Sequence, residues 1–229
     1  MRIHLRFIVV LCGIAFLASC PSGSSANDTS QVAPVITGIP GPMIWQHPPA
    51  NWKIEDGGTL SITAGKQTDW FVSPMGDSRR DNSPRLLFTP AEDFVFSAKV
   101  TVAFQSQWDS GALVLYVSDS LWAKLCFEKT VEQRKAIVSV VTKDVSDDNN
   151  SIEFTSDSVY LKVAKAGPAI FFYASENGKS WRIIRAFSLG NSRDLRIGFS
   201  SQSPLGDGCA TVFSEISYQA KRVDLWQGQ

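Results

Sequence analysis

Between Phe94 and Phe104 the chain alternates with a period of two. Phe94, Phe96, Ala98, Val100, Val102 and Phe104 recur at every second position, and Val95, Ser97, Lys99 and Thr101 lie between them. Successive side chains of an extended strand point to opposite faces, so the pattern specifies a strand with one buried side. The same kind of segment recurs downstream. Residues 112–117 (ALVLYV) read as a buried strand and 121–128 (LWAKLCFE) alternate again. Residues 136–142, 159–164, 169–174, 181–187, 195–200 and 210–218 continue the series. Turn signals separate them: Ser118-Asp119-Ser120, the polar run 147–150, Ala166-Gly167-Pro168, and Glu176-Asn177-Gly178-Lys179 with its Asn-Gly hairpin pair. Helical periodicity is nearly absent. Many short strands at near-regular spacing imply an all-β sandwich or barrel. No internal repeat argues for a propeller, and no shift in composition divides residues 36–229, which read as one domain. The Pro-rich stretch 38–49 is expected to cross the surface before Trp52 enters the first strand, and 51–54 with 57–62 look like an opening hairpin.

The N-terminus follows a different logic. Arg2, His4 and Arg6 precede an apolar run over 7–16 (FIVVLCGIAF), and Leu17-Ala18-Ser19 lead into Cys20. A helix across a bilayer needs roughly 20 apolar residues, so this run is too short to span and fits a signal peptide of residues 1–19. Small residues before a cysteine form the pattern of a bacterial lipobox. Lipidation of Cys20 would anchor the chain to a membrane, because several acyl chains hold far better than one. Residues 21–34 (PSGSSANDTSQVAP) are small and polar, as a flexible tether requires, so 20–35 are read as a lipidated linker. The expected location is the cell envelope, on the outer membrane or the outer face of the cytoplasmic membrane. No aspartate follows Cys20, which in a Gram-negative cell favours the outer membrane.

Charge and cysteine content narrow the function classes. The precursor has 22 basic and 22 acidic residues; loss of Arg2 and Arg6 with the leader leaves 20 against 22. No basic stripe marks a nucleic-acid surface, and that partner class is set aside. Removal of Cys12 and acylation of Cys20 leave Cys126 and Cys209. Two readings of these are open, a disulfide in an oxidising compartment or two buried thiols in apolar strands. His47 is the single histidine of the mature chain, which removes a His-based zinc site or catalytic triad. No phosphate loop or dinucleotide fingerprint occurs, and no cofactor is expected. Asp147, Asp148, Asn149 and Asn150 offer oxygen ligands for calcium, but such a run reads first as a turn; no metal is assigned.

A series of motifs runs in order through the strand region. Thr68-Asp69-Trp70-Phe71 precedes Arg80-Asp81-Asn82-Ser83-Pro84, then Gln107-Trp108-Asp109-Ser110-Gly111 and 121–128. Glu176-Asn177-Gly178 leads to Trp181, and Gly198-Phe199-Ser200-Ser201-Gln202-Ser203-Pro204 with Gly206-Asp207-Gly208-Cys209 close the series. This resembles the uncharacterised domain-of-unknown-function family that includes the fungal regulator-of-enolase protein. The resemblance covers nearly all of 50–220 and implies a concanavalin A-like jelly-roll β-sandwich of two antiparallel sheets. It implies no reaction, since the fold hosts both lectins and hydrolases.

Alternation along 121–128 puts Trp122, Lys124, Cys126 and Glu128 on one face and Ala123, Leu125 and Phe127 on the other, toward the inter-sheet core. An indole plane with a cation and a carboxylate beside it is the composition of a sugar-contacting row. Trp70, Asp109 and Gln202 join the ligand-binding candidates if their loops reach the same rim. Trp181 is expected to pack. A glycoside hydrolase needs two carboxylates flanking the bond, ~5 Å apart for retention. Glu128 is the lone strand acid on the candidate face, with Asp109 or Asp69 as conceivable partners, so no catalytic residue is assigned. The expectation is a lipid-anchored module that binds a carbohydrate or glycan. The alternatives are a glycoside hydrolase and a non-catalytic protein–protein scaffold or regulator.

Overall fold

The period-two segments become strands. In chain order the first eight are β1 (Ile44–Gln46), β2 (Asn51–Ile54), β3 (Leu60–Gly65), β4 (Trp70–Val72), β5 (Arg79–Asp81), β6 (Arg85–Phe88), β7 (Phe94–Val102) and β8 (Ser110–Ser118). There follow β9 (Leu121–Lys129), β10 (Lys135–Lys143), β11 (Val145–Phe154) and β12 (Ser158–Ala166). The last four are β13 (Ala169–Ser175), β14 (Arg182–Phe187), β15 (Arg196–Gln202) and β16 (Gly208–Gln219). The computed structural model describes residues 34–190 and 193–228. The leader, Cys20 and the tether as far as residue 33 lie outside the described residues.

Two seven-stranded antiparallel sheets face each other. Sheet A runs β1-β6-β15-β8-β9-β10-β11, sheet B runs β14-β13-β12-β7-β16-β3-β2, and β4 with β5 forms a separate two-stranded ribbon. This is the concanavalin A-like jelly-roll β-sandwich that the motifs imply. Among the described residues there is no helix, and so none long and apolar enough to cross a membrane.

The core is built by the alternation read in the sequence. Along β7 every second residue from Phe94 to Val102 is buried. These meet Leu113, Leu115, Ala123, Leu125 and Phe127 from sheet A, each large side chain contributing about 1.5–3 kcal/mol by leaving water. Phe199 joins the layers, with Phe96 edge-on at 5.2 Å and Phe213 tilted at 4.9 Å. Strands β8, β9 and β10 are buried on both faces. Their second face, which includes Ala112, Val114, Trp122, Cys126, Val138 and Val140, forms a separate apolar cluster under Trp70 and its ribbon neighbours Phe71 and Val72. A sheet covered on both sides explains why 112–117 is continuously apolar. Gly198 is required where β15 pairs with β6: a Cβ there would collide with the Leu86 carbonyl oxygen, a backbone atom that cannot turn away.

Both hairpins expected from turn chemistry are present. Gly57 and Gly58 take φ of 93° and 83° between β2 and β3. Between β13 and β14, Asn177 Oδ1 accepts from the amides of Lys179 and Ser180, both at 2.9 Å. Trp181 packs on the outer face of sheet B as expected, with the Lys162 ammonium 4.1 Å from its ring centre.

Three readings need correction. Residues 147–150 are not a turn; they run inside β11, the edge strand of sheet A, opposite Val138–Val141. An edge strand wetted on most sides has no apolar alternation to betray it. The stretch 38–49 is not wholly a surface crossing, because Ile39 and Met43 are buried in the core and 44–46 form β1 on the edge of sheet A. Packing begins slightly before residue 36: Pro34 is buried and its carbonyl accepts from the Met43 amide at 3.4 Å.

Candidate functional site

The outer face of sheet A carries two different environments along β9. Ala123, Leu125 and Phe127 enter the inter-sheet core, and Trp122, Lys124, Cys126 and Glu128 point the other way, as alternation requires. At one end of this face the β4–β5 ribbon forms a roof. Trp122 is fully buried there, stacked on Trp70 at 3.9 Å and 19°. Trp70 is itself covered by the Arg85 guanidinium at 4.2 Å, and Arg85 bonds Asp81 at 2.6 Å. Burial lowers the Arg85 pKa, with Asp81 opposing the shift. Trp70 and Trp122 are therefore packing residues, not sugar-contacting planes. Alternation identified the face correctly, but not that an apolar ribbon some 50 residues earlier folds over it.

Past the ribbon the face is open. Lys124 and Glu128 form the floor of a cleft of ≈ 380 Å³, joined there by Asp69, Asp148 and Gln202. The strand register explains the convergence. Gln202, Ser110 and Glu128 lie in one row across β15, β8 and β9, so the small Ser110 lets the flanking side chains approach over it. Lys124, Val140 and Asp148 form the corresponding row across β9, β10 and β11. Lys124 Nζ donates to Gln202 Oε1 at 2.8 Å and lies 3.8 Å from Asp69 Oδ1. Gln202 Nε2 donates to the Trp108 carbonyl at 3.2 Å and reaches Glu128 Oε2 at 3.5 Å.

Asp109, the remaining candidate, does not reach the cleft. It is fully buried, with Oδ2 accepting from the amides of Gln105 (3.0 Å) and Ser106 (2.8 Å) and Oδ1 from Ser203 Oγ (2.7 Å). It is a staple that ties the β7–β8 loop to the β15–β16 loop. Its neighbour Trp108 carries no periodic signal in the sequence and is not among the expected ligand-binding residues. Trp108 lines the cleft, is 36% exposed, and has φ of 65°. A left-handed backbone costs a bulky residue of order 1–3 kcal/mol. The bonds from Trp108 N to the Lys129 carbonyl (2.7 Å) and from Gln202 to its own carbonyl hold it there. Phe71 is a second aromatic in the lining, and Met75 and Leu205, 81% and 62% exposed, supply apolar surface.

Electrostatics in the cleft are unusual. Burial pushes the Glu128 carboxyl up to about 8, Lys124 opposes this, and Asp148 and Asp69 add to it. Glu128 is thus largely protonated at neutral pH. Burial pulls Lys124 down, yet the acidic groups about it, Cys126, Asp69, Glu128 and Asp148, outweigh that effect and raise its pKa. Asp148 as a residue is open to solvent, but its carboxyl lies among the cleft groups and loss of water raises it too, against the pull of Lys124. Such a site offers hydrogen-bond acceptors and donors at its floor and apolar surfaces at its mouth. Cys126 and Cys209 are free buried thiols, which resolves the two readings in favour of no disulfide. Among the described residues no group of three or more His, Cys, Asp or Glu is arranged to hold a metal ion. A larger depression of ≈ 550 Å³ beside Pro90 and Pro168 has less chemistry, since its buried Lys165 is already bonded to the Glu92 carbonyl at 2.8 Å.

The fold is shared with solved structures. A functionally unknown protein from Saccharomyces cerevisiae superposes with a TM-score of 0.72 at 20% identity, over 79% of this chain and 97% of that one. The GH43 BlXynB protein from Bacillus licheniformis gives 0.59 at 18% identity, over 77% of this chain and 37% of that one. The xylan beta-1,4-xylosidase from Bacillus halodurans C-125 gives 0.53 at 14% identity, over 71% and 33%. The chain therefore spans only about a third of the length of these two proteins. At such identities the likeness shows the fold alone. No curated protein matches the sequence. The family described as protein of unknown function (DUF1349) matches residues 45–221, and the chain belongs to that family.

Proposed function

We propose that the protein binds a carbohydrate in the cleft over β9, and that a lipid on Cys20 holds it in the cell envelope. The observation that carries the reading is Trp108, a partly exposed aromatic fixed in a costly backbone conformation beside the polar floor of Lys124, Gln202 and Glu128. Strain of this kind at a cleft mouth is retained where the side chain has work to do. An aromatic face takes the C–H surface of a pyranose while buried polar groups take its hydroxyls. Related sandwiches within carbohydrate-active enzymes support the same reading. Kinship to the fungal regulator-of-enolase protein is part of the proposal and rests on the motif series.

A glycan array probed with the full-length protein in detergent, followed by calorimetry on the hits, tests it. Trp108→Ala should weaken binding by about tenfold or more, equivalent to ~1.4 kcal/mol or above. Absence of binding to every glycan would end the proposal. Metabolic labelling with a clickable fatty acid tests the anchor: label should be incorporated and should disappear in Cys20→Ala.

One observation favours a second reading, glycoside hydrolysis. Glu128 keeps its proton near neutrality, the state a general acid requires, and Asp148 supplies a second carboxyl on the same cleft. Reducing-end release from xylo-oligosaccharides that is lost in Glu128→Gln would support it.

A further inference from the structure

The cleft is short of positive charge. Four acidic side chains line it, Asp69, Asp77, Glu128 and Asp148, against two basic ones, Lys124 and Arg80. The Lys124 ammonium is already committed to Gln202 Oε1 and Asp69. Glu128 is 7% exposed and faces the cleft, and among the described residues its hydrogen-bond partner is the Gln202 amide at 3.5 Å. Among the described residues no lysine or arginine lies within ion-pair distance of it. A buried carboxyl with no cation in direct contact holds its proton, since the more distant Lys124 offsets only part of the burial penalty, and it is a site at which an incoming cation gains most.

We infer that the ligand supplies the missing charge: the cleft takes a sugar bearing a free amine, seated with its ammonium toward Glu128 and Asp148. This rests on the carbohydrate reading above and sharpens it to a substrate class. The aromatic residues in the lining agree, because rings such as those of Trp108 and Phe71 attract cations as well as sugar C–H surfaces. Uronic and sialic acids are disfavoured by the carboxylates already present.

The inference has a proton signature. Besides Gln202, the groups that face Glu128 are Lys124 and Cys126 on its own strand, Asp148 on β11, and Asp69 before β4. Asp77 and Arg80 lie at the ribbon side of the rim. An ammonium arriving beside Glu128 favours its carboxylate, so the O–H bond breaks and the proton passes to the buffer. Below the pKa of the ligand amine, where it arrives already as ammonium, binding is then accompanied by release of up to one proton per ligand; an amine that arrives neutral takes that proton itself. Affinity rises with pH until Glu128 is ionised or the amine of the ligand loses its own proton.

The test is calorimetric titration of the full-length protein with glucosamine oligomers, their N-acetylated counterparts and xylo-oligosaccharides, each in two buffers of different ionisation enthalpy. The free-amine series should bind about tenfold tighter than the acetylated one. Its apparent heat should differ between buffers by the amount that proton release requires. Glu128→Gln should abolish the buffer dependence and reduce the preference. Equal affinity for free-amine and acetylated sugars, or binding without proton release, would overturn the inference while leaving carbohydrate binding intact. Failure of the free-amine series to bind would overturn the inference, and only absence of binding across the whole glycan array would overturn the carbohydrate reading with it.

Discussion

Replacing Glu128 by glutamine isolates the cost of keeping a carboxyl at the floor of the cleft. The two side chains have nearly the same shape, and the amide retains an acceptor for Gln202. What disappears is the proton equilibrium. Below pH 4.5 the carboxyl is protonated in both folded and unfolded chains, so its ionisation costs nothing. Between 4.5 and about 8 the unfolded chain releases the proton and the folded one holds it. Native stability then falls by up to ~1.4 kcal/mol per pH unit, and above about 8 the loss is complete. Integrated over that window the effect is about 3–5 kcal/mol. Asp148, raised in the same direction, makes both proteins lose stability as pH rises, and the part of its effect that comes from repelling Glu128 is removed together with the Glu128 charge. The assay is urea unfolding of wild type and Glu128→Gln from about pH 4 to about pH 9, followed by fluorescence and circular dichroism. The variant should be near wild type in stability at the acid end and more stable by several kcal/mol at the alkaline end. A difference that stays flat across this range, or grows toward acid, would refute the account of Glu128 as a buried, unpaired acid.

Three other outcomes follow from the packing. Asp109→Ala strips acceptors from Gln105 N, Ser106 N and Ser203 Oγ and should lower stability by about 2–4 kcal/mol in urea unfolding. It should also weaken any ligand that depends on Trp108. Gly198→Ala drives a Cβ into the Leu86 backbone and should abolish soluble expression; a soluble, native-like variant would contradict the β6–β15 register. Cys126 and Cys209 should resist alkylation in the native state and both react after unfolding, by peptide mass mapping, since burial raises Cys209 to about 12 and Cys126 further.

What was legible in the chain, and what was not, has a physical pattern. The alternation of β7 and its neighbours marks an all-β sandwich or barrel, and along β9 it marks the face that lines the candidate cleft, because period two is a direct consequence of strand geometry; the jelly roll itself is what the motif resemblance implies. Lys124 and Glu128 follow from that alternation; Gln202 enters only on the condition that its segment reaches the same rim, and its bonds to both show that it does. Trp70 and Trp122 were misplaced because alternation says which way a side chain points and nothing about what a distant ribbon lays over it. Trp108 was missed for the opposite reason. A lone loop aromatic has no period, and its one local signal was the following Asp109, whose carboxylate gathers the preceding loop amides. Asp148 was hidden in a polar run that reads as a turn, since an edge strand needs no apolar face.

The most direct test of carbohydrate recognition at this cleft is a two-dimensional NMR titration that follows the tryptophan indole N–H signals as glucosamine oligomers are added. Carbohydrate binding over β9 predicts a saturable shift at Trp108, assigned by Trp108→Phe, while Trp181 and Trp226, which belong to the opposite sheet's outer face, stay fixed. Shifts confined to Trp181 or Trp226 would place binding elsewhere and contradict the account. So would an unchanged spectrum, provided the array-derived glycan leaves Trp108 equally unmoved.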